Sequence, residues 1–357
     1  MGIFPFLLYN KSIRGDLMHV EEILSQYPWI KDEHQKLIIS PDSDGLLCAL
    51  LYLNYFDGEV VGFYDGKVML VKEGISPKDC LFLDMDVFHS SFRSVGHHMV
   101  MLNKKRLPSN WDRYQNCLQV NNLRNFDKTN DFQRKYPLAT IHFLLTILSH
   151  VKEISLSEEA VVPLLFSDGV WIVLFGYTEN CLEWFDWLGI TKEESILYPI
   201  FCGKKSFLEI MQDINDFLRQ RDSLNAKGSF DFRTQTFIEK ASRRTGDRLI
   251  ISTSKGEPVN IEKKEDHLYD IYQEEVNRVT CFIELLAHSM GWNAKLDKWN
   301  FQNLKLYLFK KSSLDGKNRK LNLKNYNEVV ENHCFSMAIT SSTQLEYTID
   351  ENHLFDD

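Results

Sequence analysis

The first half of the chain alternates short apolar runs with longer apolar stretches, and this alternation restricts the fold more than any other feature of the sequence. Residues 37–39, 59–63, 68–71 and 80–83 have the length and composition of buried strands. Residues 46–56 have helical length and contain neither proline nor glycine. Strands that alternate with helices favour a parallel sheet. We therefore predict an α/β fold in which a parallel sheet carries helices on both faces.

Two further apolar segments follow in the first half. Pro137 precedes an almost wholly apolar stretch at 138–150, which is typical of a buried helix. Residues 161–166 form another apolar run, which ends at Ser167-Asp168-Gly169. We interpret this run as a buried strand that leads into a turn.

A change in composition after Gly203 predicts a chain of three parts. Residues 1–200 would form the domain with alternating strands and helices. Residues 201–269 would be a helical connector followed by a charged linker or an exposed hairpin. Residues 270–357 would form a smaller α+β domain, because a helical pattern at 276–290 precedes a segment of β character at 335–349.

Cysteine spacing and hydropathy indicate a compartment. The seven cysteines are spread singly and form no CxxC pair, so the sequence predicts neither a zinc knuckle nor a disulfide framework. No uninterrupted apolar run approaches the roughly 18 residues of a membrane span. The apolar start of the chain lacks the basic flank of a signal peptide. We therefore predict a cytoplasmic protein that does not interact with a membrane.

Charge is unevenly distributed along the chain. The net charge is −9, yet the segment from Lys295 to Lys324 has nine Lys and Arg residues against two acids. Lysines neutralise phosphates and aromatic rings stack on bases in proteins that bind single strands. We therefore predict a basic segment that supplies affinity for nucleic acid rather than chemistry. Its predicted contact residues are Trp299, Lys310, Lys311, Arg319 and Lys320.

Acidic and imidazole side chains lie at or near the ends of several predicted strands. Carboxylates with a few imidazoles suit manganese or magnesium better than zinc or copper. In open α/β sheets, ligands bind at the carboxyl ends of the strands. Each motif alone is also an ordinary turn or helix cap, but the ordered set favours a metal site. The candidate residues are Asp42 and Asp44 beside Gly45, Asp84 and Asp86, His97 and His98, and Asp168.

The order of these motifs resembles that of the DHH phosphoesterases. This superfamily includes the single-strand exonuclease RecJ, the oligoribonucleotide phosphodiesterases and the manganese pyrophosphatases. The segment IISPDSDGLLCALL resembles the first motif, and CLFLDMD resembles the second. VGHHMV is similar to the DHH signature, and VVPLLFSDGV is similar to the fourth motif. The resemblance covers roughly residues 35–190.

This resemblance implies a centre of two ions, Mn²⁺ or Mg²⁺, that cleaves a phosphodiester with water as the nucleophile. Asp42 and Asp84 would hold one ion. Asp44, His97 and Asp168 would hold the second, with Asp84 bridging the two ions. Asp84 would thereby be catalytic, and His98, the second catalytic residue, would face the scissile phosphate.

The sequence departs from the family pattern in its support of the site. Gly96 stands where the signature has an aspartate, so a carboxylate of the pattern is absent. Asp86 is the candidate replacement, and we include it among the metal-site residues. Ile38 stands where many members have a histidine, and Ser40 stands where RecJ-like members have an acid. We therefore expect the first metal site to be weaker than is usual in the family.

The leading prediction is a metal-dependent phosphodiester hydrolase that acts on single-stranded DNA or RNA, or on short oligonucleotides. One alternative is a phosphodiesterase of a small nucleotide signal, which would not need the basic segment. Another is a catalytically inactive scaffold that keeps the DHH fold to bind nucleic acid or protein, as the changes at Gly96 and Ile38 would permit. Association with a second copy of the chain or with another protein is left open.

Overall fold

The computed structural model describes residues 17–224, 230–231, 236–237, 247–264, 267–317 and 319–355. The apolar start of the chain and part of the helical connector and charged linker predicted at 201–269 lie outside these residues. Within them, the α-helices are α1 (Val20–Gln26), α2 (Ser43–Tyr55), α3 (Val120–Leu123), α4 (Lys128–Asp131), α5 (Thr140–Leu148), α6 (Val161–Phe166), α7 (Val170–Gly176), α8 (Thr178–Leu188), α9 (Tyr198–Phe201), α10 (Phe207–Ser223), α11 (Gln273–Met290) and α12 (Leu323–Glu331). The strands are β1 (Lys36–Ile39), β2 (Glu59–Tyr64), β3 (Val68–Lys72), β4 (Leu81–Leu83), β5 (Arg93–Gly96), β6 (Cys117–Gln119), β7 (Phe230–Asp231), β8 (Thr236–Phe237), β9 (Ile261–Lys263), β10 (Tyr269–Ile271), β11 (Leu304–Leu308), β12 (Lys310–Leu314), β13 (Cys334–Ser341) and β14 (Gln344–Ile349).

A large mixed sheet organises the molecule, with strand order β6-β5-β4-β1-β2-β3-β11-β10-β9. The five strands from β6 to β2 are parallel, which confirms the α/β class and the parallel core. Strand β3 reverses direction because a tight turn joins it to β2. In that turn Asp65 accepts the backbone N–H groups of Lys67 and Val68, and Gly66 has a φ of 81°. Such a short connection permits only antiparallel pairing.

Alternate residues of the central strands face two different layers. On β1, Leu37 and Ile39 are buried in the core that contains the apolar residues of α2 and α5. Ile38 points to the other face and is buried in a second core that includes Phe335 of β13 and Phe355 near the end of the chain. The prediction of helices on both faces is therefore wrong for the described residues. The sequence shows that a strand is buried on both sides but not which element covers each side.

The run at 161–166 is helix α6 and not the strand that we predicted. Apolar runs of this length do not distinguish a strand from a buried helix. The decisive residue is Pro163, which lacks a backbone donor and is disfavoured in a central strand. The wider stretch Glu158–Gly176 has the length and composition of a membrane span. It is not one straight helix, however, because Asp168 and Gly169 have φ values of 51° and 64°.

The last part of the chain belongs to two sheets. Strands β9, β10 and β11 continue the central sheet, and the boundary predicted at 269/270 falls inside strand β10. Strands β12, β14 and β13 form a separate antiparallel sheet. The segment predicted as a linker or exposed hairpin does turn back on itself, since the Val259 N–H donates to the Ile251 carbonyl. Leu249 and Ile251 are nevertheless buried, so this segment is anchored in the core.

Candidate metal centre

Asp44 lies where two helices begin. It is in the first turn of α2 and is fully buried. Its carboxylate accepts the backbone N–H groups of Thr140 and Ile141, at 2.7 and 2.9 Å, in the first turn of α5. Free N–H groups and the helix dipole make both positions favourable for an anion. The turn before α2 requires Gly45, because an added Cβ would lie 2.0 Å from the Ser40 carbonyl oxygen.

Asp84 follows β4 and has a φ of 60°, a left-handed conformation that few residue types other than glycine, asparagine and aspartate adopt readily. The residue is 7% exposed, and its carboxylate accepts the hydroxyl of Thr140 at 2.8 Å. Since β1 and β4 are parallel neighbours, Asp84 and the start of α2 lie at the same edge of the sheet. The structure thus brings the two positions together at one edge, and their role as metal ligands stays a prediction.

His97 lies between Thr140 and Asp168. Its Nδ1 lies 2.8 Å from the Thr140 hydroxyl oxygen, and its Nε2 lies 3.1 Å from Asp168 Oδ2. One ligand atom from each of Asp44, Asp84, His97 and Asp168 lies within 4.8 Å of the other three. Asp168 thus reaches the site although it follows a helix and not a strand.

The hydrogen bonds of Thr140 determine the tautomer of His97. A hydroxyl has one proton, and Thr140 donates it to Asp84. Towards His97 it therefore acts as the acceptor, so a neutral ring carries its proton on Nδ1. The lone pair of Nε2 then faces the carboxylate of Asp168, an arrangement that is repulsive until a cation lies between them. Thr140 is the functional residue that the sequence analysis missed, and its only signal was its position in the first turn of a predicted helix.

The electrostatics of the group also fit a cation. Burial raises the pKa of Asp44 well above its usual value, and the charges of Asp84 and Asp168 raise it further. Burial also raises the pKa of Asp84, with added repulsion from Asp42 and Asp168. Three carboxylates and one imidazole form a donor set for a hard divalent ion such as manganese or magnesium.

Two predicted ligands lie outside this group of four. Asp42 caps α2 through the N–H of Gly45, at 3.3 Å, and lines a cavity together with Asp84 and Asp168. Asp86 is buried and accepts the hydroxyl of Tyr114 at 3.3 Å. The prediction that Asp86 belongs to the metal site is therefore not met by this arrangement, because its carboxylate is directed to other partners.

His98 lies between two cavities beside the group. Its ring stacks on that of His97, with ring centres 4.2 Å apart, and its side chain is 42% exposed. The larger cavity, of about 920 Å³, is also lined by Tyr136, Tyr177 and Asp168. The smaller one, of about 330 Å³, is lined by the acids of the site and by Lys311. The exposed imidazole of His98 is thus accessible to a ligand in either cavity.

The predicted contact residues of the basic segment do not share one environment. Trp299 is 6% exposed and its indole N–H donates to the Ala294 carbonyl at 3.0 Å, so the prediction that it stacks on bases is wrong. Lys310 pairs with Glu351 at 2.6 Å, and Arg319 pairs with Glu328. Lys320 is exposed. Lys311 differs from these because it lines the smaller cavity beside the metal-site acids, where it pairs with Glu346 at 2.5 Å.

No family model, curated protein or solved structure matches this chain. The resemblance to the DHH phosphoesterases therefore depends on the sequence motifs alone.

We expect the metal-free protein to gain stability when Asp84 is changed to Asn. The pKa of Asp84 is raised on folding, so its ionisation opposes folding as the pH rises above the unfolded value of about 3.9. Asparagine also tolerates the left-handed backbone at this position, whereas alanine does not. Thermal melts in chelator should show a higher Tm for Asp84→Asn than for wild type at pH 7, with a smaller difference at pH 4.

In the presence of manganese, wild type should have a higher Tm than Asp84→Asn. Saturation at about 100 times the dissociation constant stabilises a folded protein by about 2.7 kcal/mol. Wild type should therefore show a rise in Tm with manganese that Asp84→Asn lacks. Asp186→Asn, which removes an exposed carboxylate from α8, is the matched control and should respond like wild type. An equal rise in all three proteins would show that the ion binds elsewhere.

Proposed function

We propose that this chain is a metal-dependent phosphodiesterase related to the DHH phosphoesterases, with single-stranded nucleic acid or short oligonucleotides as substrates. One observation carries the proposal. Asp44, Asp84, His97 and Asp168 converge within 4.8 Å at the carboxyl edge of a parallel sheet, in the chain order of the DHH motifs. The tautomer that Thr140 imposes on His97 leaves the lone pair of Nε2 facing Asp168, as a metal ligand at this end of the ring requires.

Each side chain has a distinct role in this proposal. Asp44, Asp84, His97 and Asp168 would hold one ion, and Asp42 with Asp84 would contribute to a second. When bound, such ions neutralise phosphate charge and lower the pKa of water. His98 would contact a non-bridging oxygen of the phosphate from the edge of the cavities, which its partial exposure permits.

The cavities support a short substrate or the end of a strand. A volume of about 920 Å³ is of the size that holds a small ligand, and its lining includes aromatic, amide and hydroxyl groups. Lys311 lines the smaller cavity, where it would supply a cation for phosphate in exchange for its partner Glu346. The sequence predicted that the basic segment supplies affinity and not chemistry. In this proposal Lys311 is an exception, because it contacts the substrate beside the metal-site acids.

A phosphodiesterase of a small nucleotide signal is the second candidate, and the pairing of the basic segment favours it. Lys310, Arg319 and Lys298 each pair with an acid of the chain itself, which reduces the charge available to a long strand. The inactive scaffold is less well supported. Burial of Asp44 and Asp84 is electrostatically unfavourable, and the hydrogen bonds that they accept from Thr140 and Ile141 offset only part of that cost.

The proposal is tested by hydrolysis assays with manganese on three probes: a labelled single strand, a linear dinucleotide and a cyclic dinucleotide. We expect wild type to cleave at least one of them, and Asp84→Asn to lose at least about 100-fold in rate, because the ligand is charged and shared. Cleavage of the single strand together with the linear dinucleotide would support the leading candidate. Exclusive cleavage of the cyclic probe would support the second. Absence of cleavage in all three would contradict the proposal.

Lys311 and Lys310 offer a matched pair of neighbours on β12. Lys311 lines the cavity beside the metal-site acids, whereas Lys310 pairs with Glu351 and is 60% exposed. We expect Lys311→Gln to lower kcat/KM about tenfold or more, because a charged hydrogen bond contributes ~1.5–3 kcal/mol. Lys310→Gln should change it less than twofold. The reverse ranking, measured on the probe that wild type cleaves, would exclude Lys311 from the substrate site.

A further inference from the structure

Position 96 requires a glycine because there is no space for a side chain, and not because the backbone has an unusual conformation. It ends β5, directly before His97, and it is absent from the glycines with a positive φ. A Cβ atom added at this position would lie 2.2 Å from Oδ1 and 2.5 Å from Cγ of Asp86. The carboxylate of Asp86 therefore occupies the space that any side chain at position 96 would need.

The parallel pairing of two strands brings Asp86 to this place. Leu83 at the end of β4 pairs with Val95 of β5. Beyond β4 the chain stays attached to β5, since the Met85 N–H donates to the Val95 carbonyl at 3.0 Å. Asp86 follows and turns its carboxylate across Gly96, where it is 4% exposed.

The carboxylate of Asp86 contacts His98, Tyr114 and Cys117. Oδ2 accepts the backbone N–H of His98 at 3.2 Å and lies 3.4 Å from Nδ1 of the same residue. Oδ1 accepts the hydroxyl of Tyr114 at 3.3 Å. The carboxylate thus holds both the backbone and the ring of His98, while the ring stacks on His97. A buried acceptor with two such donors fixes an imidazole more firmly than solvent does.

We propose that Asp86 and Gly96 form an exchanged pair, in which the carboxylate that positions His98 is supplied from the end of β4 instead of from residue 96. Asp86 is then a positioning residue that acts on the substrate through His98. The exchange explains why position 96 has no side chain, and it removes the need for an aspartate in the signature. Its consequence for catalysis rests on the proposed function, whereas its consequence for the structure does not.

Three variants test the exchange. Asp86→Asn keeps the shape but replaces one acceptor oxygen with a donor that faces the His98 N–H or the Tyr114 hydroxyl. Gly96→Asp adds a second carboxylate where the first already lies, so we expect a protein with a strongly lowered Tm or none that folds. The double variant Asp86→Ala with Gly96→Asp moves the carboxylate to position 96. It should melt closer to wild type than Gly96→Asp does, because the overlap with Asp86 is removed.

The structural part is measured without substrate or metal. Protein with ¹⁵N-labelled histidine should show changed His98 ring resonances in Asp86→Asn, and those of His150, which contacts the Thr146 carbonyl, should stay unchanged. The double variant should return the His98 resonances towards their wild-type positions. If Asp86→Asn leaves the His98 ring signals in place, Asp86 does not position that ring, whatever the chain hydrolyses.

The catalytic part is measured on the probe that wild type cleaves. We expect Asp86→Asn to lower kcat by about 10- to 100-fold with little change in KM, because the orienting partner of a reactive residue is lost. The double variant should recover at least tenfold over Asp86→Asn. A double variant that folds but stays as slow as Asp86→Asn would overturn the exchange. If wild type cleaves no probe, the proposed function fails, and the histidine spectra still decide whether the pair is exchanged.

Discussion

The buried carboxylate of Asp44 is the constraint on which the rest of the structure depends. It lies in the first turn of α2 and accepts two N–H groups from the first turn of α5, so one side chain joins two helix starts. Those bonds fix α5 against the carboxyl edge of the sheet and place Thr140 between Asp84 and His97. Without this anion, the N–H groups of Thr140 and Ile141 would be buried without acceptors, at a cost of about 1–3 kcal/mol for each group. The metal site and the packing of α5 are therefore one structural unit.

The same arrangement concentrates negative charge where burial opposes it. The pKa values of Asp44 and Asp84 are both raised by burial and by neighbouring carboxylates, so each ionised acid opposes folding at neutral pH. Hydrogen bonds from Thr140 and from α5 offset part of this cost, and a bound cation would offset more. If the site holds a cation, stability at this edge would depend on its occupancy, as is typical of proteins in which a metal contributes to folding.

Local patterns in the sequence predicted the parts of the site that depend on neighbouring residues. Asp42, Asp44 and Asp84 were predicted because each follows a short apolar run, and parallel strands end at the same edge. Contacts between distant segments were not predictable. Thr140 acquires its role from partners 43 and 56 residues away, and Trp299 is buried against residues outside the basic segment. The interpretation of 161–166 as a strand failed because periodicity does not separate a strand from a buried helix in so short a run, and the sequence signal that does, Pro163, was not used.

The second sheet completes the site, although it comes last in the chain. Phe309 alone separates β11 of the central sheet from β12, and its ring packs on Phe335 with ring centres 4.7 Å apart. Strand β13 is bonded to the segment that carries the histidines, since the Met337 N–H donates to the Asp86 carbonyl and the Ile339 N–H to the Met99 carbonyl. These bonds fix the position of β12 as well, because β14 lies between β12 and β13. Lys311 therefore lies on a sheet that is hydrogen-bonded to the chain on both sides of His98, and it lines a cavity together with the acids. A substrate phosphate between Lys311 and the acids would contact groups from both sheets, so its position would be set by the packing of one sheet on the other and not by a mobile loop.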